Sequence, residues 1–309
     1  MKMSEVVLKT YNLSKKYKET MAVDKVSMTI KKGQIYGFIG QNGAGKTTII
    51  RLITGLAHKT DGEIELFGQT DNLDESRESI GSLVESPAFY GNMTARENLE
   101  ISRLFRGIGS KDSIDKVLEL VNLKDTGKKK VKNFSLGMKQ KLGIANALLG
   151  NPKFIILDEP INGLDPMSIV EIRELIKKLN NELGMTILIS SHILGELSEL
   201  ATNYGIISHG KLIEEFTAKE LREKCRQYIE IIVDDSKKAT VLLEEKLGIT
   251  NYEVINDNMI KVYDLVMMHH TYPMKIWKSY LIDFIQAMHQ EVIKAPDLDF
   301  ISQRSYLRK

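Results

Sequence analysis

Residues Gly40-Gln41-Asn42-Gly43-Ala44-Gly45-Lys46-Thr47 fit the pattern G-x-x-x-x-G-K-[ST], and few folds can use it. The stretch before it, Ile35-Tyr36-Gly37-Phe38-Ile39, is apolar at every non-glycine position, as a strand buried inside a parallel sheet would be. The stretch after it, Thr47 to Leu56, reads as a helix. Strand, glycine loop and helix in that order make a phosphate-binding unit. The glycines let main-chain N–H groups curl around an anion, and the helix presents its positive end to it. Lys46 can then reach the β and γ phosphates, and the Thr47 hydroxyl can ligate Mg²⁺, with Thr48 beside it at the helix start.

A second apolar run, Phe154-Ile155-Ile156-Leu157, leads into Asp158-Glu159. Ligands of open α/β sheets bind at the carboxyl ends of strands, so both acids can face a nucleotide there. Asp158 is expected to hold Mg²⁺ through water, and Glu159 to polarise the attacking water. Strand ends often carry acids for solubility alone; the phosphate loop upstream gives this pair its meaning. Together these features specify an ATPase with a phosphate loop, and nothing narrower.

The rest of the chain reads in the same way. Short β-rich runs at 6–9, 22–30 and 62–67 predict an antiparallel patch. Residues 88–150 are mainly helical, with Thr94-Ala95-Arg96-Glu97 as a capping box. Asp165 followed by Pro166 starts a helix whose apolar face is Ile169, Ile172, Ile176 and Leu179, and Gly184 stops it. Thr186 to Ser190 is a third buried strand, reaching His192 through Ser191. Alternation of this kind predicts a mostly parallel sheet with helices on its faces. Character changes after Arg222: a strand at 228–233, a helix at 238–247 closed by Gly248, and a hairpin around Asn256-Asp257-Asn258. The expected division is therefore a domain over 1–222, with its helical subdomain near 88–150, and a small α+β appendage over 223–309. The tail 264–309, rich in Met, His and aromatic residues, carries no assigned role.

Composition limits the partners. Hydrophobic residues are 42% and charged residues 27%, a globular balance, and the net charge of +2 gives no general pull toward nucleic acid or an anionic membrane. Lys128, Lys129, Lys130 and Lys132 read as a solvated loop. The single cysteine, Cys225, excludes an intrachain disulfide and suits a reducing setting. Met1 to Thr10 lacks the apolar core of a signal peptide, and no apolar run approaches the ~20 residues of a membrane span. Work at a membrane would have to pass through a partner.

The segment Asn133-Phe134-Ser135-Leu136-Gly137-Met138-Lys139-Gln140 resembles the signature of the ABC ATPase family, centred on Ser-Gly-Gly. Ser135 and Gly137 match it, while Leu136 and Met138 depart from it. A serine and free amides at a helix start form a second anion site, and Ser135 as a plain helix cap is compatible with that. The resemblance implies an ABC cassette of the phosphate-loop NTPase class, mostly parallel with an antiparallel patch and a helical subdomain. It implies ATP and Mg²⁺ as ligands. Gly163-Leu164-Asp165 resembles the loop that crosses the dimer interface, His192 stands where the switch histidine touches the γ-phosphate, and Tyr17 where an aromatic stacks on adenine, with Val23 in support. Lys46, Glu159 and His192 would be the catalytic set. Ser135 and Gly137 would close on the ATP held by a second ATP-binding subunit, and a membrane permease would receive the motion. The chain would then sit at the cytoplasmic face of the membrane through that permease, with no nucleic-acid partner.

One departure narrows the resemblance. In Ile80 to Pro87, which corresponds to the family's Q-loop, Glu85 stands where glutamine is usual. An acid there can still accept from water or ligate Mg²⁺, yet it adds a charge. An acid followed by Ser86-Pro87-Ala88-Phe89-Tyr90 looks like the E-loop of ATPases that drive bacitracin and lantibiotic exporters. The resemblance covers about residues 5–263. Two other readings stay open: an ABC transporter ATPase for another cargo (drug, lipid or ion), and a non-transport ABC ATPase. Only one phosphate loop is present, against the paired cassettes of the translation class, and the spacing from Lys46 to Ser135 leaves no room for the coiled coil of the repair class.

Overall fold

A computed structural model describes residues 6–85, 87–224, 229–245 and 249–263. Cys225, Gly248 and the tail 264–309 lie outside these residues. The chain divides into two compact units, Met1–Leu221 and Arg222–Lys309.

The first unit opens with β1 (Val6–Tyr17), β2 (Thr20–Val26), β3 (Thr29–Lys31), β4 (Ile35–Ile39), α1 (Lys46–Ile53) and β5 (Asp61–Leu66). It continues through α2 (Leu73–Arg77), β6 (Ile80–Leu83), α3 (Ala95–Phe105), α4 (Asp112–Leu120), α5 (Leu136–Leu148) and β7 (Phe154–Asp158). It closes with α6 (Pro166–Asn181), β8 (Thr186–Ser191), α7 (Leu194–Leu197), β9 (Asn203–Ser208) and β10 (Lys211–Thr217), and α8 (Ala218–Lys224) begins at its end.

A six-stranded sheet in the order β10-β9-β4-β8-β7-β6 forms the centre, parallel except for the antiparallel pairing of β10 with β9. Its central strands β4, β8 and β7 are buried at every position because both faces are covered there, while the edge strand β10 is largely exposed. Successive side chains of a strand point to opposite faces, and the two cores divide accordingly. Ile35, Ile39, Ile155, Leu157, Ile187 and Ile189 join one, with α5 and α6. Tyr36, Phe38, Phe154, Ile156 and Leu188 join the other, with α1 and the antiparallel strands. That second sheet has β1 at its centre, pairing antiparallel with β2, β3 and β5.

Several boundaries differ from the sequence expectation for local reasons. The first strand runs from Val6 to Tyr17 because it pairs with three neighbours, which tolerates its polar end. The apolar stretch 22–30 is divided between β2 and β3, where the buried Thr10 hydroxyl donates to the Val26 carbonyl at 3.0 Å and accepts the Met28 amide at 3.0 Å. The helix after the phosphate loop ends at Ile53, as Thr54 turns its hydroxyl back to the Ile50 carbonyl at 2.8 Å.

The second unit has its own small core of Val233, Ala239, Leu242, Leu243, Ile249, Ile260 and Val262. It contains β11 (Ile229–Ile232), α9 (Ser236–Glu245), β12 (Tyr252–Asn256) and β13 (Met259–Val262), with a three-stranded antiparallel sheet in the order β11-β13-β12.

Candidate functional site

The site is assembled by strand order. Strand β4 ends at the phosphate loop and lies beside β8, which lies beside β7, which lies beside β6. In that register Ile39 pairs with Ser191, and Asp158 pairs with Ser190. The carboxyl ends of four neighbouring strands thus bring Gly40, Ser190–His192, Asp158–Glu159 and Glu85 to one edge of the sheet.

Main-chain bonds hold the phosphate loop: the Gly40 amide donates to the Ser191 carbonyl of β8 at 3.2 Å, and the Ala44 amide to the Gln41 carbonyl at 3.0 Å. Gly45 precedes α1 at φ 109, where a side chain is strained, and no side chain caps the helix. The first amides of α1 therefore have no acceptor inside the helix and point at the loop. Gln41, Asn42 and Gly43 are exposed, while Ala44 and Lys46 are buried.

Lys46, Glu159 and His192 form a continuous row of charge and hydrogen bonding. The Lys46 ammonium donates to the carbonyls of Gly40 at 2.6 Å and Gln41 at 3.2 Å, and it lies 3.2 Å from Glu159 Oε1. That last approach is an ion pair off the angle of a hydrogen bond, which leaves Oε1 a buried oxygen with acceptor capacity to spare. The other carboxylate oxygen, Oε2, lies 2.9 Å from His192 Nδ1. Glu159 itself has a left-handed backbone, φ 48, a conformation that costs energy in a non-glycine residue and collects at functional sites.

Beside this row the Thr47 hydroxyl donates to Asp158 Oδ2 at 2.8 Å. Hydroxyl and carboxylate oxygens are the hard donors that Mg²⁺ takes, usually one or two from protein and the rest from water and phosphate. Thr47 and Asp158 fit such an ion, and when bound it would draw negative charge off a nucleotide's phosphates.

Ser190, which sequence alone did not single out, organises both acids. Its buried hydroxyl donates to Asp158 Oδ1 at 2.6 Å and accepts the Glu159 amide at 2.9 Å. The signal available was a hydroxyl closing an otherwise apolar strand. Ser191 acts on the next loop, donating to Glu196 Oε2 at 2.6 Å and accepting the Ile193 amide at 3.0 Å, which brackets His192.

The remaining predicted residues make other contacts. Tyr17 ends β1 with a half-exposed ring, and the Lys15 ammonium stands 4.7 Å over it. Val23 is fully buried. Ser135 caps α5, accepting the Met138 amide at 3.2 Å. Gly137 faces Ser168 so closely that an added Cβ would lie 2.3 Å from its hydroxyl. Ser168 in turn donates its hydroxyl at 2.6 Å and its amide at 3.0 Å to Asp165, and those bonds hold the Asp165 carboxyl below the usual range. Glu85 is not joined to Thr47 and Asp158; its carboxylate is hydrogen-bonded to Arg51 on α1.

Residues 23–162 match the ABC transporter family. Over 259 residues, 83% of this chain and 85% of the relative, the sequence is 50% identical to the bacitracin transport ATP-binding protein BcrA of Bacillus licheniformis. The chain belongs to the ABC transporter ATP-binding proteins. A further ABC relative, the lantibiotic transport ATP-binding protein SrtF of Streptococcus pyogenes, is 46% identical over 209 residues, 68% of this chain and 90% of SrtF. The fold of the cassette superposes on a solved ATP-binding cassette, dimeric and bound to ADP and Pi after hydrolysis, with TM-score 0.62 at 27% identity, covering 68% of this chain and 98% of that one. The ATP-binding subunit of another ABC transporter gives the same TM-score, 0.62, at 29% identity over 71% of this chain and 93% of that chain. No helix among the described residues is long and apolar enough to cross a membrane.

Proposed function

We propose that this ABC cassette hydrolyses ATP to drive an exporter of bacitracin- or lantibiotic-like peptides and so protects the cell that carries it. The observation that carries the catalytic part is the row Lys46–Glu159–His192 beside the Thr47–Asp158 pair. Main-chain amides and Lys46 hold the phosphates. Glu159, with one oxygen anchored by His192 and the other buried without a hydrogen-bond donor, takes a proton from the attacking water. His192 steadies that carboxylate and stands at the γ-phosphate end. Tyr17 receives the adenine ring on its exposed face.

Ser135 and Gly137 serve the ATP of a second subunit, so that two cassettes close on two nucleotides and separate after hydrolysis. The dimeric ATP-binding cassette described above supports this assembly. Closure is passed to a membrane permease through the loop from Glu85 to Tyr90. Support for that role is the exposed Tyr90 ring at the end of the loop, whose amide is bonded to Asn98 of α3 at 2.8 Å. The peptide cargo is inferred from the two relatives that transport bacitracin and a lantibiotic.

The test is resistance. The chain is expressed with its membrane subunit in a host sensitive to both peptide classes. Wild type should raise the inhibitory concentration and Glu159→Gln should abolish the gain, lowering hydrolysis about 100-fold or more while ATP still binds. A hydrolysing complex that protects against neither class would overturn the cargo. Unchanged hydrolysis in Glu159→Gln would overturn the assignment of the base.

A further inference from the structure

Arg51 lies one helical turn beyond Thr47 on α1, so the two side chains share a helix face. Thr47 reaches Asp158 at the end of β7, while the Arg51 guanidinium reaches the carboxylate of Glu85, two residues past the end of β6. Glu85 has a left-handed backbone, φ 61, which fixes the direction of its side chain. One face of one helix therefore grips both the metal-ligating acid and the acid that replaces the family's usual glutamine.

Stability does not explain this pair. The Arg51 and Glu85 side chains are 40% and 59% exposed, and ion pairs that exposed contribute little to stability. Charge does explain it. Strand β6 runs parallel to β7, so Glu85 emerges beside the strand end that bears Asp158 and Glu159. A third carboxylate at that edge is repelled by the other two unless a cation accompanies it, whereas a glutamine amide needs none.

We propose that Arg51 is the positioning residue for Glu85: its guanidinium carries the charge of the acid and ties the loop after β6 to the phosphate-binding helix, so that the two move as one. Movement of α1 on nucleotide engagement is then delivered to the permease-facing loop through this ion pair. The transmission step rests on the exporter reading above; the ion pair itself does not.

Two measurements on the full-length chain test it. In hydrogen exchange without nucleotide, the amides of residues 80–85 should exchange up to about fivefold faster in Arg51→Gln, the limit set by an exposed pair. Glu85→Gln should match that rise, and the double variant should add nothing further. Wild-type exchange in Arg51→Gln, or rises that add, would overturn the pairing. In complex with the permease, Arg51→Gln should lower stimulated kcat up to about fivefold, with KM for ATP nearly unmoved, and Arg51→Lys should recover most of the loss. On the Glu85→Gln background the same change should cost less than about twofold. Equal losses on both backgrounds would show that Arg51 acts without Glu85. A wild-type complex showing no stimulation would refute the exporter reading, and the exchange measurement would still decide the ion pair.

Discussion

At the scale of single residues, chemistry is concentrated where main-chain geometry leaves a polar group with capacity to spare. Glu159 combines a left-handed backbone, a bond to His192 and a buried Oε1 without a hydrogen-bond donor. Ser190 keeps this arrangement in place, since its hydroxyl is shared between Asp158 and the Glu159 amide. Ser190→Ala leaves a buried carboxylate oxygen and a main-chain amide each short of a partner, at about 1–3 kcal/mol for such a loss. Steady-state kinetics should show kcat reduced about tenfold or more, with ATP binding retained. A variant with wild-type kcat would show that Ser190 only fills space. The phosphate loop and the Asp158-Glu159 pair could be read from sequence because each is a contiguous motif. Ser190 and Arg51 could not, because their partners are 32 and 34 residues away and are reached only through the strand order.

At the scale of elements, local signals predicted local structure well. Thr94 and Glu97 cap α3 reciprocally, with the Thr94 amide donating to Glu97 at 2.6 Å and the Glu97 amide to Thr94 at 3.2 Å. Asp165 caps α6 with Pro166 at its first position. Both were legible because a cap needs only neighbours in sequence. The long β1 was not, because its polar end is held by partners far along the chain. The cap also predicts a pH dependence. Bonds from the Thr94 amide and hydroxyl, then Lys130, lower the Glu97 pKa from 4.5. A lowered folded pKa gives stability that is present above the unfolded value and is lost as pH falls through the folded one. Glu97→Gln should therefore melt below wild type at neutral pH, with the gap closing below pH 4.5; a gap that stays constant would contradict it.

Gly137 gives a second prediction at this scale. Its close approach to Ser168 locks the signature helix α5 to the start of α6, whose cap Asp165 belongs to the loop expected to cross the dimer interface. Gly137→Ala should be destabilising by about 1–3 kcal/mol, and Ser168→Gly in the same chain should restore much of the melting temperature. Failure of that rescue would place the need for glycine elsewhere.

At the scale of the whole molecule, one sheet explains why the parts meet. Its two apolar faces bind two cores, and its carboxyl edge collects phosphate loop, acids and histidine from strands that alternate with helices in sequence. That much was visible as three apolar runs, each ending in polar residues. What no run shows is the other half of the site. Ser135 caps α5 and hydrogen-bonds within its own helix, with no contact to the Lys46–Glu159–His192 row among the described bonds. On the proposed function a second ATP-binding subunit completes the nucleotide site, and a second copy of this chain can serve as that subunit in the test. The most direct test compares Glu159→Gln with Glu159→Gln/Ser135→Arg by light scattering, with and without ATP. The first should dimerise only with ATP, and the second should bind ATP as tightly in the monomer yet stay monomeric. A double variant that still dimerises would contradict the claim that Ser135 closes on another subunit's ATP.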